Sequence, residues 1–329
     1  MSFNQYTWDL YKQTTIGIEM IKYFSDAGGY VLFKDYCPYA NFIPEDLYND
    51  WLENIYCYGV SDYDHPSSLE EAKDLYISLI TLGIRVEGQQ WLPANDFKNM
   101  LGIIQPMSYV LSQFAPEYFF PYLFLCRIFE LNKIADFFNI DLPNIPKRTD
   151  YKGRCMYYWE LCEVFYLFRK ENGLSPADLW SFLYDFAPNN LPSEKIDMPK
   201  PSQVWFIGGR LYQEDKSLES KFWQSSPETK KGDILVHYET SPISAITCIE
   251  ISLTDGVIDP LFRYYGCIYI GNRINIPHIT LKELQTDEYF FKHPLVRKNF
   301  QGVNGWSVNS ENYSESVSYT HLTLPTTSR

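Results

Sequence analysis

Between Tyr6 and Phe24 apolar residues recur at helical spacing, with Ile16, Met20, Ile21 and Phe24 on one stripe, and Ala27-Gly28-Gly29 stops the pattern. The run Tyr30-Val-Leu-Phe33 that follows is rich in strand-forming residues and predicts a short extended stretch. Ser68-Leu-Glu-Glu71 has the spacing of a capping box, with a hydroxyl placed to accept backbone N–H groups, and opens a helix through Leu82. Gly83 ends it, and Ile84-Arg-Val86 and Gln90-Trp-Leu92 predict a hairpin around Glu87-Gly88. From Asp96 to Phe186 the pattern is helical almost throughout, broken by the loop Asp141-Leu-Pro-Asn-Ile-Pro-Lys147. Two helices stand out: Arg154 to Glu171, ended by Asn172-Gly173, and one capped by Ser175 with Pro176 in its first position, running to Phe186.

Periodicity disappears at Ala187 to Pro201, where proline interrupts the chain repeatedly. Beyond it come Val204-Trp-Phe-Ile207, Asp233 to Tyr238, Ser244 to Ile251 and Tyr264 to Ile270, short runs rich in Ile, Val and aromatics. Several short strands at close spacing predict a small barrel rather than a parallel sheet. The expected class is therefore α+β: a mainly helical domain over 1–190, a Pro-rich linker over 191–201, a barrel over 202–315 and a tail over 316–329. Helix and hairpin over 68–92 have the outline of a winged helix.

Composition supports a folded chain: 329 residues suit two cores, and with 45% hydrophobic and 17% aromatic residues there is ample apolar surface to bury. No stretch is apolar enough to span a membrane and the N-terminus lacks a signal pattern, so a cytoplasmic location is expected. The seven Cys, without any CxxC pair, read as buried free thiols, and neither a disulfide, a metal nor any other cofactor is expected. Net charge is −13 but unevenly spread: residues 1–200 hold 16 basic against 27 acidic side chains (−11), and 201–315 hold 11 against 14 (−3). Nucleic acid would have to meet the barrel, held by a pocket rather than a basic patch. The acidic helical domain points to a protein partner.

In the barrel, Trp205 falls on a first strand, Trp223 in the following loop or helix, and Tyr238 at the end of the strand begun by Gly232-Asp233. Aromatics arriving from separate elements at one mouth can sandwich a flat base, each stack contributing roughly 1–3 kcal/mol. His237 and Tyr238 alternate across their strand, and Tyr238 is the one expected to face the pocket. The order of features resembles the EVE domain of the PUA-like folds. It comprises Trp205, Phe222-Trp-Gln-Ser225, Lys231-Gly-Asp-Ile-Leu-Val-His-Tyr238, Ile258-Asp-Pro260, Ile276 to Leu284, Pro294-Leu-Val-Arg297 and Asn299-Phe-Gln-Gly302, about 115 residues. The resemblance implies a pocket for a modified base such as methylated cytosine in DNA or RNA, in a setting beside prokaryotic restriction and other anti-phage systems.

Trp205, Trp223, Tyr238, Ser225, Phe300 and Gln301 are the expected base-binding residues, and Gly232, Asp233, Asp259 and Pro260 are expected to shape turns. Where the family often carries a Trp-x-Gly-Val-Arg-Asn-type loop, this chain has Trp223-Gln-Ser-Ser-Pro227, which leaves the identity of the base open. No phosphate loop, HExxH or nucleophile elbow is present, and neither Asp62-Tyr-Asp64-His65 nor Glu87-x-Gln89 has the Lys a nuclease centre needs. A reader or adaptor without catalysis is expected. The alternatives are an enzyme whose catalytic residues lie in the helical domain or beyond Glu315, and an interaction module with a degenerate pocket. Residues 317–326 resemble the translation of a sequencing adapter.

Overall fold

Side-chain caps set the helix starts. Asn4 accepts from the Thr7 N–H to open α1 (Gln5–Gln13), and Thr14 accepts from the Gly17 N–H to open α2 (Thr15–Asp26). The first apolar stripe is thus split at Thr14, and Ile16 is left exposed while Trp8 and Phe24 are buried. The computed structural model describes residues 3–38, 40–191, 198–209, 220–262, 266–302 and 304–308; linker positions 192–197 and the tail 317–326 lie outside the described residues. Two units emerge, Met1–Glu194 with Asp259–Tyr264, and Lys195–Ile258 with Tyr265–Arg329.

The stretch expected to be extended at Tyr30-Val-Leu-Phe33 is instead helical, within α3 (Gly29–Tyr36). Packing overrides its strand propensity: Leu32 and Phe33 are buried, and Phe33 stacks on Tyr48 of α4 (Glu45–Ile55) with centroids 4.5 Å apart. After α5 (Leu69–Leu82), capped by Ser68, the hairpin β1 (Ile84–Val86) and β2 (Gln89–Leu92) forms around Glu87 and Gly88, both at positive φ. Helices α6 (Phe97–Met100), α7 (Ile104–Phe114), α8 (Ile128–Phe138), α9 (Tyr151–Glu171), α10 (Pro176–Ser181) and α11 (Ala187–Asn190) complete the unit.

Residues 115–127 depart from the helical expectation: they are irregular, yet mostly buried. Pro116 and Pro121 deny the segment regular helix, and tyrosines take over its backbone groups. Tyr158 donates to the Phe120 carbonyl at 2.7 Å, Tyr184 donates to the Pro121 carbonyl and accepts from the Leu123 N–H, and the Ser108 hydroxyl accepts from the Tyr122 N–H. The aromatic stripes of α9 are accordingly core, with Tyr157, Tyr158, Trp159 and Phe165 all buried.

The second unit is a seven-stranded sheet: β3 (Val204–Gly209), β4 (Ser220–Ser225), β5 (Ile234–Glu239), β6 (Ala245–Ser252), β7 (Val257–Ile258), β8 (Gly266–Thr280) and β9 (Asn304–Ser307). Its order is β4-β8-β6-β5-β3-β9, with β7 against β8, and every pair is antiparallel except β3 with β5. The two ends of this path meet at Gly305, at φ 69°, where an added Cβ would lie 2.0 Å from the Ser226 nitrogen; the sheet nearly closes into a barrel. One face buries Val204, Phe206, Val236, Tyr238 and Ile246 against Leu284 of α12 (Leu281–Thr286) and Leu295 and Val296 of α13 (Pro294–Arg297). The opposite face buries Trp205, Ile207, Leu235, Ile268 and Ile270. The chain is thus α+β, mainly helical first and barrel-like second. Among the described residues no helix is long and apolar enough to cross a membrane.

Asp259 and Pro260, expected to shape a turn, fall within the helical unit. The Asp259 carboxylate is fully buried and accepts from the Cys126, Leu261 and Phe262 N–H groups at 3.0, 2.9 and 3.1 Å, while Arg154 donates to the Pro260 carbonyl at 2.8 Å. Burial outweighs those bonds and pushes its pKa up from 3.8 to about 7. A folded-state pKa above the unfolded one means the folded chain holds the extra proton. Its contribution to stability is full below about pH 3.8 and lost as pH rises through about 7. Thermal unfolding followed by circular dichroism at pH 5 and pH 8 should therefore show a drop across this window in the wild type that is reduced in Asp259→Asn. Equal pH dependence in the two proteins would contradict the assignment.

Candidate functional site

Asp233 fixes how the barrel strands enter. Its fully buried carboxylate accepts five hydrogen bonds: Oδ1 from the Ser202 N–H, the Ser202 hydroxyl and the Gln203 N–H at 2.9, 2.7 and 3.0 Å, and Oδ2 from the Trp205 indole and the Lys230 N–H, both at 2.9 Å. Burial alone would raise this carboxyl, but the bonds from Lys230, Trp205 and Ser202 outweigh it and hold it below the usual carboxylate range. Gly232 precedes it at φ 91°, with its N–H on the Ser252 carbonyl at 2.8 Å. The parallel register that follows sets Trp205 opposite Leu235 and Ile207 opposite His237.

Alternation along β5 then sorts the side chains. Leu235 shares the inner face with Trp205, and His237 follows it there, meeting Trp223 edge-on at 4.7 Å between ring centroids. Tyr238 goes to the other face, where it stacks on Phe300 at 4.0 Å and 6° between planes. The expected gathering of Trp205, Trp223 and Tyr238 at one mouth is corrected on this point. Tyr238 and Phe300 are each 2% exposed and spend their faces on one another among α12 and α13 residues. Trp205, 4% exposed, is core with its indole N–H held by Asp233.

Trp223 is on a strand, β4, rather than in a loop or helix, and it remains half-buried against the inner cluster. Gly209 makes room for it: a Cβ there would come within 2.7 Å of Trp223 Cζ2. Ser225 is buried and shares a hydrogen bond with Thr229 at 2.8 Å. Gln301 is exposed, with its N–H on the Lys298 carbonyl. Of the expected base-binding side chains, the structure brings together Trp205 with Trp223, and Tyr238 with Phe300, as two separate sets.

A polar group that the motif reading did not select lies beside Trp223. His237 is directly opposite Cys248 on β6, and Glu250 is two residues further along the same face. His237 Nδ1 lies 3.2 Å from Glu250 Oε2, and Arg273 of β8 donates to Glu250 Oε1 through Nε at 2.9 Å, with its Nη2 in ion-pair contact with the same oxygen at 2.8 Å. Burial would raise the Glu250 carboxyl, but His237 and Arg273 together hold it below its ordinary value. Burial pushes the Cys248 thiol up to about 12. His237 Nε2 is buried without a hydrogen-bond partner among the described residues. A donor atom from each of His237, Cys248 and Glu250 lies within 4.8 Å of the other two. Cys248-Ile-Glu250 is visible in the sequence as an alternating pair on a strand, but its partner His237 comes from the adjacent strand and no fixed spacing links them.

No family model matches the chain, and no curated protein matches it. Among solved structures it is similar to Rpa0253 from Rhodopseudomonas palustris, at 13% identity and a TM-score of 0.31 over 39% of this chain and 99% of that one. It is also similar to ASCH from Zymomonas mobilis, at 16% identity and a TM-score of 0.26 over 37% of this chain and 96% of that one. A point mutant of the same ASCH protein gives 14% identity and a TM-score of 0.26, over 37% and 99%.

Asp233→Ala strands the Ser202, Gln203 and Lys230 N–H groups and the Trp205 indole. The Trp205 indole N–H, left unsatisfied in the core, costs about 1–3 kcal/mol, and the part-buried Ser202, Gln203 and Lys230 N–H groups cost less because water can reach them, so urea unfolding should show the variant destabilised by at least about 2 kcal/mol. A loss below about 1 kcal/mol would show that the carboxylate does not organise the barrel.

Proposed function

We propose that the second unit is an EVE-like barrel of the PUA-like group that reads a modified or flipped base in DNA or RNA. The observation that carries the reading is the placement of Trp223. Of the four aromatics expected to bind a base, Trp205, Tyr238 and Phe300 are enclosed by protein, whereas Trp223 keeps part of its surface in solvent. An aromatic ring so placed offers a stacking platform, and each base stacked in this way contributes roughly 1–3 kcal/mol, enough to offset part of the few kcal/mol that extruding a base costs.

Arg273 supplies the polar complement. It is partly exposed and is fixed by Glu250 through a hydrogen bond from Nε and an ion-pair contact from Nη2, and the guanidinium has further N–H groups with which to read a carbonyl or ring nitrogen on a base edge. The charge of −3 over 201–315 suits recognition of an enclosed base better than adhesion to phosphates, and the −11 of residues 1–200 suits a protein partner that the reader recruits. In this reading the chain is an adaptor and carries out no chemistry itself.

The test is a titration of labelled oligonucleotides, unmodified and carrying 5-methylcytosine, against wild type and Trp223→Ala at several salt concentrations. Trp223→Ala should lose roughly 1–3 kcal/mol of affinity with an unchanged salt slope, because stacking is removed and phosphate contacts are not. Equal affinity of both proteins for every oligonucleotide overturns the proposal and leaves an interaction module.

A further inference from the structure

We infer that His237, Cys248 and Glu250 form a site for a divalent transition metal of the zinc type inside the barrel. The inference does not rest on base reading, since Trp223 takes no part in it. Three different donors converge from two paired strands: imidazole from β5, and a thiol and a carboxylate from alternate positions of β6. All three side chains are buried, and a donor atom of each is within 4.8 Å of the other two.

Nitrogen, sulfur and oxygen in one set match the borderline softness of zinc and cobalt, and three protein ligands leave a fourth position for a small ligand. Bonds of about 2.0–2.3 Å put tetrahedral ligand atoms roughly 3.5 Å apart, so the side chains need to close by about an ångström. Among the described residues His237 Nε2 has no hydrogen-bond partner, and Nδ1 faces Glu250 Oε2 at 3.2 Å, so the ring has a nitrogen to give to a metal once the contact with Glu250 is exchanged for ligation. Arg273, already on Glu250 Oε1, supplies the outer hydrogen bonds that orient a ligating carboxylate. The register shift between His237 and Tyr238 leaves Thr247 as an extra residue on β6, the kind of bulge that re-aims neighbouring side chains.

Binding is balanced as follows: the Cys248 S–H bond breaks as the sulfur–metal bond forms, and one proton leaves to solvent. Thiolate and carboxylate then neutralise the dication, so the buried charge is no greater than that of Arg273 alone. No close spacing of cysteines marks this group in the sequence, because its ligands are gathered across a strand pair.

The experiment titrates the full chain with Co²⁺ alone and with Zn²⁺ alone, in a Cys57→Ser background that removes the thiol exposed among the described residues. Expected are one metal per chain after dialysis and a thiolate-to-cobalt charge-transfer absorption. Cys248→Ser should abolish that absorption, and His237→Gln should weaken uptake at least about tenfold. Absence of stoichiometric uptake overturns the site, as does uptake indifferent to both substitutions. If Cys248→Ser fails to fold, the charge-transfer band in the parent and its loss in His237→Gln decide the question. Trp223→Ala should keep full metal uptake while losing base affinity, so failure of one proposal is visible apart from failure of the other.

Discussion

The carboxylate of Asp233 is the constraint on which the barrel depends. A parallel strand pair has no hairpin to set its register, and β3 and β5 are separated by the whole of β4 and its connections. Asp233 supplies the missing restraint by holding the start of β3 through Ser202 and Gln203, its own turn through Lys230, and the core through the Trp205 indole. Five donors around one buried carboxylate leave little freedom for a slipped alternative.

Register decides chemistry here because side chains alternate with a period of two: a shift of one residue would exchange His237 and Tyr238 between faces. As built, the inner face carries Leu235 and then His237, which continues the apolar floor of Trp205, Ile268 and Ile270 into the polar group of His237, Cys248, Glu250 and Arg273. The outer face spends its aromatics on closure, with Tyr238 against Phe300 and the short helices α12 and α13 covering Phe206 and Val236. One face thus stabilises the barrel, and the other carries the half-buried Trp223 and the polar group of His237, Cys248, Glu250 and Arg273, where recognition is proposed.

Much of this was legible in the sequence. Capping residues at Ser68 and Ser175 and the hairpin at Glu87-Gly88 appear where local chemistry places them, because caps and turns are decided by neighbouring residues. Local pattern failed where packing or long-range bonds decide. Tyr30-Val-Leu-Phe33 turned helical to reach Tyr48, and residues 115–127 stay irregular because tyrosines more than thirty positions away satisfy their carbonyls. In the barrel, alternation showed that His237 and Tyr238 must diverge, but which of them faces inward is set by pairing with β3 and β6, a non-local fact. The Arg273–Glu250–His237 chain was illegible for the same reason.

The central claim is that recognition lies on the inner face at Trp223. The most direct measurement is the indole N–H resonances of the ¹⁵N-labelled protein, assigned by Trp→Phe substitution and followed as an oligonucleotide carrying 5-methylcytosine is added. The account predicts a shift of the Trp223 signal, with Trp205 little changed because Asp233 holds it. A Trp223 signal that stays fixed while the oligonucleotide binds, with changes confined to tryptophans of the helical unit, would contradict it.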